Sequence, residues 1–197
     1  MTPPAPGTTI GIDIGGSNLR AALFTPDLVR VGDPVRWPLA TRDLDTVVQQ
    51  IARVVAALGA GQQVRGIGIG VAGMVDRITR MVRRAPNLDW TDAPLGAALQ
   101  EATGIPVTVL NDLNAIAWGE FVAGGARQVQ SLLCVFMETG IGAGLIVDNE
   151  LWEGHNGVAG EIGHVKVDLS DDALECGCGA RGCIESTLGG GTFLRWV

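Results

Sequence analysis

Apolar residues alternate with small or polar ones over residues 8–14 and again over 19–24. The tetrad Gly15-Gly16-Ser17-Asn18 between them is a turn signal, so the two runs predict strands joined as a hairpin. Residues 35–38 add a third candidate strand. The period then changes: Leu44, Val47, Val48, Ile51, Val54, Val55 and Leu58 recur at helical spacing, and Gly59 ends the run. Residues 64–71 read as a glycine-laced apolar strand. Residues 77–86 form either a basic irregular stretch or a short hairpin. Residues 93–103 predict a helix ended by Gly104, and residues 107–110 a buried strand. Asp112 can cap a helix running to about Val122. Residues 131–136 and 144–147 predict strands on either side of a glycine turn. Residues 154–182, rich in Gly and Asp, predict long loops, and residues 192–197 begin a further helical pattern. Strands with intervening helices place the chain in the α/β class. Two glycine-tipped hairpins, one at the start and one near residue 140, suggest two related halves, residues 1–110 and 111–197.

Composition narrows the possible functions. Of the 197 residues 47% are apolar and 18% charged, which supports a buried core and argues against disorder. The formal net charge of -7 opposes general nucleic-acid binding. A nucleotide remains compatible, because local backbone N–H groups and a metal can hold phosphate within an acidic protein. Residues 1–7 are Pro-rich and uncharged, unlike a signal peptide, and no apolar run reaches the roughly 18 residues of a membrane span. The expectation is a soluble, cytoplasmic protein with no membrane partner. Three of the four cysteines crowd into Cys176-Gly-Cys178-Gly-Ala-Arg-Gly-Cys183. In a reducing compartment such a cluster points to metal more than to disulfides. Cys134, in an apolar strand, is expected to be inert core.

Four segments carry candidate chemistry. In Asp13-Ile-Gly15-Gly16-Ser17-Asn18-Leu19-Arg20, paired glycines expose backbone N–H groups that can cradle phosphate, and Asp13 can hold the water shell of Mg²⁺. The same segment serves equally as an ordinary tight hairpin. Thr139-Gly140-Ile-Gly142-Ala-Gly144 permits close approach of backbone to a ligand, or is simply a strained turn or bulge. Asn111-Asp112 follows a buried strand, where an Asp can accept a hydroxyl proton or merely cap a helix. Finally, His164 in Gly160-Glu161-Ile-Gly163-His164 joins Cys176, Cys178 and Cys183 in a Cys3His set. That set suits closed, tetrahedral, structural Zn²⁺. Gly68-Ile-Gly70-Val-Ala-Gly73 matches a dinucleotide-binding pattern, but Met74-Val75-Asp76 follows where a helix should open. Arg80, Arg83 and Arg84 read as a solvated basic face, and His155 as a surface residue.

Together these segments resemble the ROK family of bacterial sugar kinases and related repressors, in order from about Ile10 to Leu188. Gly70-Val-Ala-Gly73 and Pro86-Asn87-Leu88 add to the match, and the pair Gly160-to-His164 and Cys176-to-Glu185 is its most specific part. The resemblance implies an actin-like ATPase (ribonuclease H-like) fold: two lobes with mixed sheets and flanking helices, the second lobe incomplete. It implies ATP-dependent phosphorylation of a hexose at its 6-hydroxyl. Glucose is favoured over N-acetylmannosamine, fructose or allose. On that reading Asp112 is the general base. Asn111, Glu161, His164 and Glu185 bind sugar hydroxyls, and Asn87 lies near them. Asp13, Gly15, Gly16, Ser17 and Asn18 face the phosphates and Mg²⁺, and Thr139 with Gly140 forms a second phosphate contact. His164 uses one ring nitrogen for zinc and offers the other to sugar. A homodimer or tetramer is implied for a full-length member.

Two features depart from the family pattern. Met137-Glu138-Thr139-Gly140 sets Glu138 where the family has glycine, placing a carboxylate beside a phosphate turn. The family also continues for roughly another third of its length, so the chain reads as C-terminally truncated. These departures keep two alternatives open: a non-catalytic sugar-binding regulator, and an inactive fragment. The repressors carry a helix-turn-helix segment ahead of the first strand, and only about seven residues stand there here, so direct DNA reading is not expected.

Overall fold

In the computed structural model, which describes residues 7–76 and 78–190, the alternating segments pair as their pattern predicts. β1 (Thr8–Ile14) and β2 (Asn18–Phe24) form an antiparallel hairpin, and β3 (Arg30–Pro38) pairs along β2. β3 begins at Arg30, not residue 35, because a register shift between Ala21 and Leu23 breaks the alternation that would have shown it. α1 (Leu44–Leu58) buries Val47, Val48, Ile51, Val54 and Val55. Its first turn is capped by Asp43, which accepts the Thr46 N–H at 2.9 Å. β4 (Val64–Val71) lies parallel to β1.

The chain then makes a small antiparallel sheet from β5 (Met74–Val75), β6 (Val82–Ala85) and β7 (Trp90–Ala93). The basic stretch is therefore a hairpin. Arg83 is spent within it, 3.0 Å from both Asp76 and Asp92. α2 (Leu95–Thr103) stops at Gly104, whose φ of 69° is the left-handed cap that glycine accepts without strain. β8 (Val107–Asn111) completes a five-stranded mixed sheet in the order β3-β2-β1-β4-β8. Ile10, Ile12, Ile14, Ile67, Ile69, Val71 and Val109 from this sheet form one core with the apolar faces of α1 and α2. The strands β1, β4 and β8 are parallel, so Ile14, Val71 and Asn111 end together, at the edge where α/β sheets place reactive groups. Gly68 to Gly73 runs from β4 into β5 and opens no helix, so the dinucleotide pattern has no dinucleotide context.

α3 (Asp112–Val122) follows, and the chain divides into two compact units between Ala115 and Ile116, within this helix. In the second unit β9 (Leu132–Met137), β10 (Ile141–Val147) and β11 (Glu150–Leu151) form an antiparallel sheet in the order β11-β10-β9. β10 starts at Ile141, three positions ahead of Gly144, so Gly142 and Gly144 are buried strand residues opposite Phe136 and Cys134, not parts of a turn. Only Gly140 sits at the tip. α4 (Ile184–Leu188) is a single short helix after the cysteine loop. Arg77 and the helical pattern expected over 192–197 lie outside the described residues.

β9 is apolar on both faces, the pattern of a strand meant for cover on both sides. Leu133, Val135 and Met137 are 57%, 50% and 61% exposed, while Leu132, Cys134 and Phe136 are half-buried. An exposed apolar edge strand is an association hazard. Val135→Lys is expected to reduce light scattering at high protein concentration and to leave the melting temperature nearly unchanged. Scattering equal to the parent chain would show that this edge is not the cause.

Candidate functional site

Asp13, the Gly15–Asn18 tip and Asp112 lie at or just beyond the C-terminal ends of the parallel strands. The hairpin tip closes through the Gly15 N–H, which donates to the Asn18 carbonyl at 3.0 Å. A Cβ on Gly16 would stand 3.0 Å from the Asn87 Cβ and 3.1 Å from its carbonyl, so Asn87 packs directly on the tip. Asp13 faces Arg20 across the hairpin at 3.8 Å. Burial lifts its carboxyl above the ordinary range, partly opposed by Arg20. Its side chain is still half open to solvent.

Asp112 opens α3 from the end of β8. Its Oδ1 accepts the Leu113 N–H at 2.9 Å and the Asn111 Nδ2 at 3.0 Å. Both donors converge on one oxygen, which leaves Oδ2 as the oxygen open to a ligand. Burial raises the carboxyl's pKa, the Leu113 N–H opposes that, and the charge of Asp13 adds to it. The two carboxylates therefore lie within electrostatic reach of each other. The cap itself belongs to Asn111, not to Asp112. Asn111 Oδ1 accepts the Asn114 N–H at 3.1 Å, while its Nδ2 also donates to the Gly73 carbonyl. Asn111 thus orients Asp112 and ties β8 to the end of β4.

In the second unit the loops between β11 and α4 fold on themselves. Val165 to Asp168 pairs loosely with Gly182 to Ile184, through Val167 N–H to Gly182 O at 2.9 Å and Ile184 N–H to Val165 O at 2.9 Å. Cys176 and Ala180 close a tight turn at 2.7 Å. This closure brings His164, Cys176, Cys178 and Cys183 together, with one ligand atom from each within 4.8 Å of the others. Cys178 Sγ lies 3.8 Å from Cys183 Sγ, and Cys176 Sγ 3.6 Å from His164 Nδ1. Around Zn²⁺, with Zn–S of about 2.3 Å and Zn–N of about 2.0–2.1 Å, tetrahedral edges are about 3.8 Å and about 3.6 Å. The donor set fits that ion. With Nδ1 on the metal side, His164 Nε2 points toward Glu161, 3.7 Å from its Oε2. Burial pushes the Cys176 thiol up to about 11, whereas the Ala180 N–H lowers Cys178.

Residues 9–197 match the ROK family. The chain belongs to this family. A glucokinase of Streptomyces coelicolor is 38% identical over 191 residues, covering 97% of this chain and 59% of the relative. A putative xylose repressor of Caldicellulosiruptor sp. is 42% identical over 189 residues, covering 91% of this chain and 46% of the relative. Among solved structures, a ROK family glucokinase from Streptomyces griseus in complex with glucose and AMPPNP is similar at 37% identity and a TM-score of 0.82. That similarity covers 96% of this chain and 60% of the other. The chain therefore spans about three-fifths of the length of its glucokinase relatives. The α/β architecture is the actin-like ATPase fold of the ROK sugar kinases.

Two residues, Lys166 and Asn114, and the backbone contact of Glu185 went unread in the sequence. Lys166 Nζ lies 3.3 Å from Cys183 Sγ and also donates to the Arg181 carbonyl, offering a positive charge to a ligand set with three thiolates. Asn114 is 2% exposed and its Oδ1 has no hydrogen-bond partner among the described residues. A buried carbonyl oxygen of this kind calls for a bound water or ligand. Glu185 reaches the backbone of β10, with its Oε2 2.8 Å from the Ile141 nitrogen. None of the three has a local signal, because each contact depends on how the loops close. Asn87 and the tip residues are adjacent, and His164 is joined to its three cysteines. His155 is exposed, Cys134 only half-buried. Among the described residues, no helix is long and apolar enough to cross a membrane.

Proposed function

We propose that this chain carries the catalytic base and the sugar- and phosphate-binding side chains of an ATP-dependent hexose 6-phosphotransferase, with glucose as substrate. The observation that carries this reading is Asp112. It is half-buried at the end of β8, one oxygen is fixed by two donors, and Asp13 lies within electrostatic reach. The 6-hydroxyl proton passes to Asp112 Oδ2 as the hydroxyl oxygen bonds to the γ-phosphorus and the β,γ bridging P–O bond breaks. Asp13 and the Gly15–Asn18 tip hold Mg²⁺ and phosphate oxygens through carboxylate and N–H groups. Thr139 and Gly140 supply a second phosphate contact. Glu161, His164 and Glu185 accept from or donate to sugar hydroxyls, and Asn111 keeps Asp112 aimed. Zn²⁺ on His164, Cys176, Cys178 and Cys183 contributes rigidity to these loops.

A second reading, a sugar-binding regulator without turnover, is favoured by the similarity to a putative xylose repressor and by Glu138. Calorimetry with glucose followed by an ADP-release assay with Mg-ATP separates the readings. Heat of binding with glucose-dependent ADP supports the kinase, binding without ADP supports the regulator, and neither supports an inactive portion. A panel of hexoses in the same assay ranks the substrate.

Glu138 is exposed, its N–H donating to the Gly140 carbonyl at 3.0 Å across the turn. Its backbone does not need a positive φ, so a glycine would gain no conformational relief there. What Glu138→Gly removes is charge beside the phosphates. In solvent, one like charge at about 6 Å is worth about three-fold in binding. Glu138→Gly is thus expected to lower the Kd or KM for ATP by a few-fold, and most at low salt. An unchanged or weaker ATP response in that variant would remove Glu138 from the phosphate site.

A further inference from the structure

The cysteine loop and the phosphate turn share one helix. α4 starts directly after Cys183, which is fully buried and stands at its N-cap. Two residues on, Glu185 turns away from the loop. Its Oε2 accepts the Ile141 N–H at 2.8 Å, the first backbone donor of β10 after the turn, while its Oε1 lies 4.0 Å from Cys176 Sγ. At the other end of α4, the Gly189 N–H closes on the Glu185 carbonyl at 2.8 Å, and the Gly190 N–H donates to the Glu138 carbonyl at 2.7 Å. The turn from Glu138 to Ile141 is therefore gripped on both sides by a single short helix whose N-cap residue, Cys183, belongs to the Cys3His cluster.

The packing at this junction leaves no slack. A Cβ on Gly140 would stand 2.6 Å from Glu185 Oε2, and one on Gly163 3.1 Å from the same atom. A Cβ on Gly189 would stand 3.1 Å from the Thr139 carbonyl, and one on Gly190 would overlap the Glu138 carbonyl. Such spacing means that α4 cannot shift without moving the turn. A five-residue helix has too little internal cooperativity to hold its own position, so its N-terminal tether decides where it sits.

We infer that Glu185 is a positioning residue through which metal occupancy of the His164, Cys176, Cys178 and Cys183 cluster sets the shape of the Thr139–Gly140 turn, so that metal and nucleotide bind with positive coupling. This rests on the reading of Thr139–Gly140 as a phosphate contact. It adds to the proposed sugar-binding role of Glu185 a separate one, carried by Oε2 and aimed at the other substrate. Coupling between sites is reciprocal: whatever factor zinc gives to nucleotide affinity, the nucleotide gives back to zinc affinity.

The test uses the full chain loaded with Zn²⁺, alongside Glu185→Ala and Glu185→Gln. Amide hydrogen exchange at Ile141 and Gly190 is read against Ile12 and Ile69 in the large sheet. Glu185→Ala should speed exchange at Ile141 about ten-fold or more. Glu185→Gln, whose amide oxygen can still accept that N–H, should restore most of the protection. Stripping zinc with a chelator should release both amides in the parent chain while leaving Ile12 and Ile69 unchanged. Mg-AMPPNP should then bind about ten-fold more weakly to the stripped protein and to Glu185→Ala, and should tighten Zn²⁺ in a chelator competition by the same factor. Equal Ile141 exchange in Glu185→Ala and the parent, or AMPPNP binding indifferent to zinc, overturns the coupling. Absence of AMPPNP binding to the zinc-loaded parent overturns the phosphate reading as well, and the exchange data still show whether the α4 grip exists.

Discussion

Asp112→Asn is expected to lower glucose-dependent ADP release by about 10²–10⁴-fold, the range that loss of a positioned general base produces. The substitution is nearly isosteric. Its carboxamide oxygen can still accept the Leu113 N–H and the Asn111 amide, so the start of α3 and the melting temperature should be preserved. What disappears is the acceptor for the 6-hydroxyl proton. The pH dependence gives a second check. Burial, aided by the charge of Asp13, raises the Asp112 pKa above the ordinary carboxylate range. A base works only when ionised, so activity is present above that raised pKa and declines as pH falls through it. The acid limb of kcat/KM should thus lie above the ordinary carboxylate range. Asp13→Asn removes one like charge and should shift the Asp112 titration downward, which carboxyl NMR can follow without any turnover. A rate retained in Asp112→Asn, or an Asp112 titration indifferent to Asp13→Asn, would take the base role away from this residue.

The elements that could be read from the sequence are those whose signal is periodic. α1 shows its buried stripe from Val47 to Val55, and β1, β2 and β4 show their alternation or apolar runs. Gly104 marks the end of α2 because only a left-handed residue closes that turn. Elements held by tertiary pairing left no such trace. β7 presents Thr91 and Asp92 to solvent and resembles loop, and α4 is too short to repeat a period. Asn111 and Asp112 show a subtler limit. Both are good caps, and local chemistry cannot decide between them. The fold decides, since Asn111 is the residue whose amide also reaches the Gly73 carbonyl, while Asp112 is left facing outward. The convergence of His164 with Cys176, Cys178 and Cys183 was legible because thiols at short spacing are rare outside metal sites. The Glu185 contact with Ile141 was not, because 44 positions separate the partners.

Cys183→Ser should abolish stoichiometric zinc and bring the cooperative melting of the second unit down to that of chelator-treated parent protein. Cys183 is fully buried, its Sγ lies 3.8 Å from Cys178 Sγ, and Lys166 Nζ stands 3.3 Å away. Serine nearly conserves volume, so the packing loss is small. The hydroxyl does not ionise as a thiol does, and the ion loses one of four donors. The affinity loss should exceed the 10–100-fold that follows loss of an outer partner. Without the ion, Lys166 and the N-cap of α4 no longer share a fixed centre, and the Gly154-to-Gly182 loops keep backbone hydrogen bonds such as Val167 N–H to Gly182 O but lose their central crosslink. The thiols must shed protons to bind the metal, and burial holds Cys176 at about 11. Zinc affinity should therefore rise with pH between 6 and 8 and protons should be released on loading, both measurable by chelator competition in weak buffer. Cys134→Ser, on β9 and outside the Cys3His set, should keep one zinc per chain. If Cys183→Ser also keeps one zinc with the parent's melting temperature, the Cys3His assignment is wrong and the rigidity of these loops has another origin.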